Sequence, residues 1–311
     1  MMQSFINDGR DEQSIIMHHI MQCSQYIWEN RIYGNNVGMW LDNFKGTFSS
    51  QDTEKKIALS LLSEFLYYNE KEIRYLCRNL YSLFKQKIIG GYLSQNPTAH
   101  LSDAEAYFNG YLTSCRFSDM GEPGESSGYI LYTFRQENNL PLTLFRQKSD
   151  LPTAIKQKEV ESLIVIDDFL GSGDTAVRFW DDDPSIQKLR GSDPTIDFYY
   201  LVLLAMEQGI RNVEDNTDFC VIPAQIFSGR YRVFSDKSII LPEDIRSVAK
   251  DICKGYGEIL EDEIHALGYK NSQALIGMHH NIPNNTLPII WSKNGWHPIF
   301  PRTTKVYRMD G

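Results

Sequence analysis

From residue 104 onward, short apolar runs alternate with stretches of helical spacing, a pattern typical of an α/β fold. The apolar runs predict strands at residues 111–117, 142–145, 163–166, 196–205 and 220–227. The longer runs contain almost no polar residue, as strands buried on both faces require. The pattern therefore predicts a doubly wound, mostly parallel sheet with helices between its strands.

The first part of the chain has a helical pattern instead. Apolar residues recur at spacings of three and four over residues 11–31 and 73–88, and Gly90-Gly91 is the expected end of the second of these helices. A leucine-rich stretch at residues 52–68 predicts a further helix. We therefore expect a helical cap or interaction region at residues 1–95 and an α/β domain at residues 96–311.

The most informative segment is the end of the predicted strand at residues 163–166. Two neighbouring acids, Asp167 and Asp168, follow the strand, and a glycine-rich turn leads into a predicted helix. The turn consists of Gly171, Ser172, Gly173, Asp174 and Thr175. Glycines let backbone N–H groups converge, the hydroxyls add donors, and a helix N-terminus carries partial positive charge. The turn is therefore a candidate site for one phosphate group.

The two acids complement such a phosphate site. Adjacent carboxylates at a strand end can accept hydrogen bonds from the 2- and 3-hydroxyls of a ribose. Asp167 and Asp168 are also candidate ligands of a hydrated Mg²⁺ ion. We expect a phosphorylated ribose or a nucleotide as the ligand, with Mg²⁺ as the cofactor.

This segment resembles the phosphoribosyl-diphosphate loop of type I phosphoribosyltransferases. That loop has a hydrophobic strand, two acids, two apolar residues, two Thr or Ser, Gly, a small residue and Thr. Two positions depart from the pattern: Gly171 stands where a hydroxyl is preferred, and Asp174 stands where Gly, Ala or Asn is preferred. The Asp174 carboxylate therefore lies beside the expected phosphate, which points to an altered ligand or a weaker affinity.

Three alternatives for the same segment remain open. Residues 167–176 are also similar to the loop of amino-methylating DNA methyltransferases, but Asp168 replaces the expected Pro and the chain has no Asn-Pro-Pro-Tyr or Asp-Pro-Pro-Tyr tetrapeptide. The glycines can instead serve only tight packing of helix on strand, although two buried acids without a ligand are costly. A haloacid-dehalogenase phosphatase separates its two acids by one residue, whereas these are neighbours.

The loop after the first predicted strand of the α/β domain contains a second group of candidate ligands. Ser126, Ser127 and Gly128 stand at the start of a predicted helix, where hydroxyl and backbone donors can bind an anion. In the resembled family this loop binds pyrophosphate. An ordinary serine cap of the helix explains the same residues.

The C-terminal part contains an amide-rich element around His280, Asn281, Asn284 and Asn285. Together with the loop after Asp168, it resembles a phosphoribosyltransferase-like family found beside bacterial anti-phage and other conflict systems. That resemblance implies a type I phosphoribosyltransferase core, a helical cap and a C-terminal hood at residues 268–311. It implies catalytic roles for Asp167, Asp168, His280 and Asn284, and substrate binding by Asn281 and Asn285.

The same resemblance also implies a function. The protein is expected to cleave or exchange the group at the anomeric carbon of a ribose 5-phosphate donor. It is expected to do so as an effector in anti-phage defence. A non-catalytic nucleotide sensor or assembly module is the alternative. The expected partners are other components of a defence system, which would bind to the N-terminal helices.

Charge and composition limit the classes of partner. Residues 1–100 carry as many basic as acidic side chains, so the net charge of −9 resides in residues 101–311. An acidic domain is a poor general binder of polyanions, and we expect no non-specific binding of nucleic acid.

Five widely spaced cysteines fit reduced thiols, and no apolar run approaches the roughly 20 residues of a membrane span. We expect a cytoplasmic protein without a membrane partner.

Overall fold

The computed structural model describes residues 9–120, 126–146, 160–192 and 195–302. The chain groups by spatial contact into two compact units, which we call the discontinuous unit and the sheet unit. The discontinuous unit takes its residues from Met1–Lys71 and Ser228–Gly311, and the sheet unit from Glu72–Phe227. This grouping by contact does not test the predicted division into residues 1–95 and 96–311, which stays a prediction.

The bounds of the regular elements are as follows. The α-helices are α1 (Gly9–Tyr26), α2 (Gly34–Leu41), α3 (Gln51–Ser63), α4 (Glu70–Gln95), α5 (Leu101–Thr113), α6 (Ser126–Glu137), α7 (Asp174–Asp182), α8 (Pro184–Ser192), α9 (Glu207–Asn216), α10 (Glu243–Leu260) and α11 (Pro288–Trp291). The strands are β1 (Leu66–Tyr68), β2 (Cys115–Ser118), β3 (Ser162–Leu170), β4 (Asp197–Met206), β5 (Cys220–Phe227) and β6 (Ile276–Met278). In the described ranges, the helices are too short or too polar to cross a bilayer.

A parallel sheet forms the centre of the sheet unit. Its strands lie in the order β2-β3-β4-β5, and each runs parallel to its neighbour. The carboxyl ends of parallel strands meet at one edge of the sheet, which is where ligands bind in open α/β sheets. The predicted α/β class and its mostly parallel sheet are therefore confirmed.

Helices cover both faces of this sheet. Phe198 and Tyr199 are neighbours on β4, so their side chains point to opposite faces. The Phe198 ring contacts Trp180 of α7 at a centroid distance of 4.9 Å, and the Tyr199 ring contacts Phe84 of α4 at 5.3 Å. Helices on both faces of a parallel sheet are the arrangement that the apolar strands predicted.

Two predicted boundaries in the first part of the sheet unit are wrong. Helix α4 continues through Gly90 and Gly91 to Gln95, because both glycines are exposed and each costs the helix only about 1 kcal/mol. Tyr111 belongs to α5 and not to a strand, since Ala104 and Phe108 form a buried helical stripe that continues through it.

The short run at residues 142–145 is also not a strand. Leu142–Leu144 is a turn of 3-10 helix that begins after Pro141, and Phe145 makes an isolated parallel bridge to Phe117 of β2. Proline fixes the backbone in a conformation that suits the start of such a turn. The apolar residues here fill space beside the sheet edge without extending a strand.

The discontinuous unit joins the two ends of the chain in one core. β1 pairs with β6 in parallel, with Leu66 opposite Ile276. The Trp40 indole N–H donates to the Ile289 carbonyl at 2.7 Å, so α2 is tied to α11. The stretch at residues 52–68, expected to be one helix, divides into α3 and β1, because the chain turns after Ser63 to reach this pairing.

Candidate functional site

The strand, turn and helix predicted around Asp167 are present at the carboxyl edge of the sheet. β3 ends at Leu170, and α7 begins at Asp174 after a three-residue turn. Gly173 caps α7 with a φ of +86°, a left-handed conformation that favours glycine, and its carbonyl accepts from the Val177 N–H at 3.0 Å. The turn is therefore held in its shape by the glycine that the sequence singled out.

Helix α9, which follows β4, supports the turn from one side. A Cβ atom on Gly209 would lie 2.3 Å from the Gly171 carbonyl oxygen, so only glycine permits this approach. The Asn212 side-chain amide donates to the Ser172 carbonyl at 2.8 Å. The glycines do serve close packing, as one alternative proposed, and that packing fixes the turn.

The same turn leaves several backbone donors unused. In the described part of the chain, the backbone N–H groups of Ser172, Gly173 and Thr175 donate to no protein acceptor. Thr175 is exposed, but Gly173 is buried and Ser172 is half-buried, and buried backbone donors are nearly always paired in proteins. Together with the N-terminus of α7, these three groups can bind an anion such as a phosphate.

Asp174 places a negative charge at the start of α7. Its Oδ2 atom accepts from the Ser172 hydroxyl at 3.0 Å, and its backbone N–H donates to the same hydroxyl oxygen at 3.3 Å. The Asn212 amide lies 3.5 Å from Asp174 Oδ1. A carboxylate is favourable at a helix N-terminus, and here it takes the hydroxyl donor that a phosphate would use.

The two acids at the end of β3 differ in their surroundings. Asp168 is 6% exposed. Asp167 accepts two hydrogen bonds, from the Asp168 backbone N–H to Oδ1 at 2.9 Å and from the Tyr200 hydroxyl to Oδ2 at 2.8 Å. Burial and the neighbouring Asp168 carboxyl group raise the pKa of Asp167 well above its ordinary value, although the Tyr200 hydroxyl opposes the rise. The two neighbouring carboxyl groups therefore disfavour each other's ionised form.

The acid pair can hold a magnesium ion of the expected kind. In the described ranges, no group of three or more His, Cys, Asp or Glu side chains is placed to hold a metal ion. Magnesium in phosphate sites usually takes one or two carboxylates and completes its shell with water and substrate oxygens. Asp167 and Asp168 fit that requirement, because binding a cation also relieves the repulsion between two neighbouring carboxylates.

The second candidate loop is described only in part. The backbone of Ser126 and Ser127 begins α6, but their side chains lie outside the described residues, as do residues 121–125. A Cβ atom on Gly128 would lie 3.7 Å from Asp119 Oδ2, just past the end of β2. Because β2 neighbours β3 in the sheet, the start of α6 follows the strand next to the acid pair.

The four C-terminal candidates belong to the discontinuous unit. His280 and Asn281 line a cavity of about 290 Å³, together with Arg31, Ile282 and Phe300. Among the described residues, Asn281 Oδ1 is buried without a hydrogen-bond partner. The cavity is therefore lined by both polar and apolar residues.

Asn284 and Asn285 are bound to their own unit through the main chain. The Asn284 carbonyl accepts from the Tyr269 N–H at 2.9 Å, and the Asn285 carbonyl accepts from the Ser272 hydroxyl at 2.7 Å. A Cβ atom on Gly268 would lie 2.0 Å from that Asn285 carbonyl oxygen, which explains the glycine at this position. These contacts give the motif a structural role, and the ligand roles of His280, Asn281, Asn284 and Asn285 stay predictions.

Sequence reasoning missed three residues of the candidate site. Tyr200 lies inside an apolar run, and Gly209 and Asn212 lie on an otherwise ordinary helix. A glycine in the first turn of a helix after a central strand is a weak signal of close packing. The partners of all three residues are 33 to 40 positions away in the chain, so the local pattern does not reveal them.

Comparison with known proteins adds one finding. Residues 37–302 match the family described as PRTase-CE, a phosphoribosyltransferase-like family. The match spans both the acid pair with its turn and the C-terminal amide-rich element. Neither the curated proteins nor the solved structures gave a match to this chain.

Proposed function

Because the chain belongs to the PRTase-CE family, we propose that it binds a ribose 5-phosphate donor with Mg²⁺ and cleaves or exchanges the group at the anomeric carbon. The donor is phosphoribosyl diphosphate or a nucleotide. One observation carries the proposal: three unpaired backbone N–H groups at the start of α7 lie in the same turn region as two neighbouring acids at the end of β3.

The turn binds the 5-phosphate. The backbone N–H groups of Ser172, Gly173 and Thr175 donate to its oxygens, and the N-terminus of α7 adds favourable partial charge. These donors belong to the backbone, and Gly209 and Asn212 hold them in place. The phosphate therefore meets a preformed site and orders little of the chain on binding.

The acids hold the sugar, and positioning provides most of the catalysis. Asp167 and Asp168 accept from the ribose hydroxyls and fix the anomeric carbon relative to the bound phosphate. Residues 126–128 bind the leaving group as it gains negative charge. A bound Mg²⁺, held by Asp167 or Asp168, would neutralise that charge.

Replacing Asp168 with asparagine tests this proposal. We expect the variant to bind phosphoribosyl diphosphate and Mg²⁺ at least tenfold more weakly, because a ribose-binding carboxylate and a metal ligand are lost together. We expect no loss of thermal stability, since one charge of a repelling buried pair is removed. Calorimetry measures the affinity, and release of pyrophosphate or free base from a nucleotide panel measures turnover.

A matched control removes the same charge elsewhere. Asp182 is exposed at the far end of α7, so Asp182→Asn alters net charge without touching the site. The control is expected to bind like the wild type. Equal affinity of wild type and Asp168→Asn would rule out the ribose role of this acid.

A non-catalytic nucleotide sensor is the second candidate, and Asp174 favours it. Its carboxylate takes the Ser172 hydroxyl and lies where the bound phosphate brings further negative charge. Weak or charge-sensitive binding suits a protein that reports the level of a nucleotide. Binding of phosphoribosyl diphosphate without release of pyrophosphate or base would favour the sensor over the enzyme.

Asp174→Asn is expected to bind ribose 5-phosphate about five- to tenfold more tightly than the wild type. The substitution removes a like charge beside the phosphate, and an asparagine amide still reaches the Ser172 hydroxyl. The measurement is calorimetric titration with ribose 5-phosphate, again with Asp182→Asn as the control. An unchanged or weaker affinity would mean that Asp174 is not in competition with the phosphate.

The proposed role in anti-phage defence rests on the sequence resemblance alone. In that role, the N-terminal helices of residues 1–95 would contact other components of the defence system. Co-purification of the full chain with the products of neighbouring genes tests that part of the proposal, and the exposed Tyr75 on α4 is a suitable position for a cross-linking probe.

A further inference from the structure

We propose that Tyr200 is a positioning residue of the acid pair: its hydroxyl holds the Asp167 carboxyl group in the orientation in which that group meets the ligand. The inference rests on the proposed function and adds a residue that holds one of the two acids in place. Tyr200 lies on β4, outside the sequence motifs described above, and thereby gains a role in ligand binding.

The position of Tyr200 follows from the strand register. Tyr200 on β4 lies opposite Val165 on β3, and Asp167 is two residues farther along the same face of β3. Diagonal neighbours on adjacent strands are within reach of a long aromatic side chain. The Tyr200 hydroxyl consequently reaches Asp167 Oδ2 at 2.8 Å.

The ring of Tyr200 is enclosed by apolar residues. Tyr200 is 1% exposed, and its ring lies 5.9 Å from the Phe219 ring in a cluster that also contains Leu163 and Val202. A ligand bound at the turn therefore cannot touch Tyr200 directly. Buried tyrosine hydroxyls usually have a hydrogen-bond partner, and here that partner is a candidate ligand of the sugar and the metal.

Asp167 is restrained at both of its oxygen atoms. Tyr200 donates to Oδ2 and the Asp168 N–H donates to Oδ1, so its carboxyl group is fixed in one orientation. Loss of the Tyr200 hydroxyl removes the donor to Oδ2, so the carboxyl group can rotate away from the orientation that meets the cation or the sugar hydroxyls.

A purely structural role for Tyr200 makes a different prediction. A buried tyrosine with a satisfied hydroxyl contributes to stability whether or not Asp167 carries a charge. A positioning role requires that the effect of Tyr200 on ligand affinity passes through Asp167. The two roles are therefore separated by the coupling between the two residues, measured on affinity.

The experiment is a double-mutant cycle of Tyr200→Phe and Asp167→Asn in the full chain. The probe is ribose 5-phosphate in the presence of MgCl₂, followed by calorimetry, with thermal unfolding measured in parallel. We expect Tyr200→Phe to weaken binding about tenfold, the usual effect of one hydrogen bond to a charged group. In the Asp167→Asn background, we expect the same substitution to change the affinity less than about twofold.

Tyr199→Phe is the matched control. It removes a hydroxyl from the adjacent residue, whose side chain is on the opposite face of the sheet. We expect it to bind like the wild type. An equal loss from Tyr200→Phe in both backgrounds, or no loss in the wild type, would overturn the positioning role while leaving the proposed function intact. Failure of the wild type itself to bind the probe would instead overturn the proposed function, and the inference with it.

Discussion

Replacing Glu54 with alanine is expected to lower the free energy of unfolding by about 3 kcal/mol or more. Glu54 is fully buried in the discontinuous unit. It accepts hydrogen bonds from the N–H groups of Gly46 and Phe48 at 2.7 Å and from the Tyr256 hydroxyl at 2.7 Å. Alanine leaves these buried donors without a partner, which costs more than the hydrogen bonds themselves contribute. Urea denaturation with a two-state fit measures the loss.

The control for this change lies directly after the same helix. Glu64 is the exposed residue that follows α3, so Glu64→Ala is expected to change the free energy of unfolding by less than about 0.5 kcal/mol. Tyr256→Phe removes one of the donors and is expected to cost about 1 to 2 kcal/mol. Similar losses from Glu54→Ala and Glu64→Ala would show that the buried carboxylate does not organise its surroundings.

The contribution of Glu54 depends on pH in a defined direction. Burial raises the pKa of Glu54, but the hydrogen bonds from Tyr256 and the backbone N–H groups outweigh burial and hold it below its ordinary value. A lowered pKa in the folded state stabilises the fold above the unfolded pKa of about 4.3, and that stabilisation is lost as the pH falls through the folded value. The difference in unfolding free energy between wild type and Glu54→Gln is thus expected to shrink below about pH 4.

Gly209→Ala is expected to weaken the binding of ribose 5-phosphate at least tenfold, although Gly209 makes no contact with the proposed ligand. Alanine favours the helical conformation by about 1 kcal/mol over glycine, so α9 itself gains stability. The added Cβ would lie 2.3 Å from the Gly171 oxygen and 3.0 Å from the Gly171 carbonyl carbon. Backbone must therefore move, and the N–H groups of the turn move with it. Calorimetric titration measures the affinity.

Gly191→Ala provides the comparison for this substitution. Gly191 is in α8, and a Cβ atom added there meets nothing within 4 Å. We expect this variant to keep the wild-type affinity and to be as stable or slightly more stable. If Gly209→Ala also keeps the wild-type affinity, the turn does not depend on its contact with α9, and the anion site has a different support.

The turn after β3 was predictable from sequence because its signal is local. An apolar run ends in Asp167 and Asp168, and the conformation of Gly173 is one that glycine adopts at little cost. The parallel sheet was predictable for a similar reason, since β4 and β5 are almost entirely apolar. In both cases the chemistry of a short segment determines its structure.

What sequence could not reveal depends on contacts between distant segments. Tyr200 reads as one more apolar residue of β4 until the register sets it beside Asp167. The Asn285 carbonyl accepts from the Ser272 hydroxyl, a main-chain contact across 13 positions that no local pattern indicates. Helix α4 passes Gly90 and Gly91 because each glycine is a small penalty against a long buried stripe. Tertiary packing outweighs local preference in all three cases.

The pairing of β1 with β6 has a consequence for synthesis on the ribosome. Leu66 is opposite Ile276, so the first strand of the discontinuous unit has no partner until more than 200 further residues have been translated. The sheet unit, in contrast, is one continuous segment whose strands pair in the order in which they emerge. Domains generally fold as units during translation. Nascent chains stalled far enough beyond residue 227 for β5 to have left the ribosomal tunnel, but before β6 is made, should therefore show a protease-resistant fragment from the sheet unit while residues 9–71 are still cleaved.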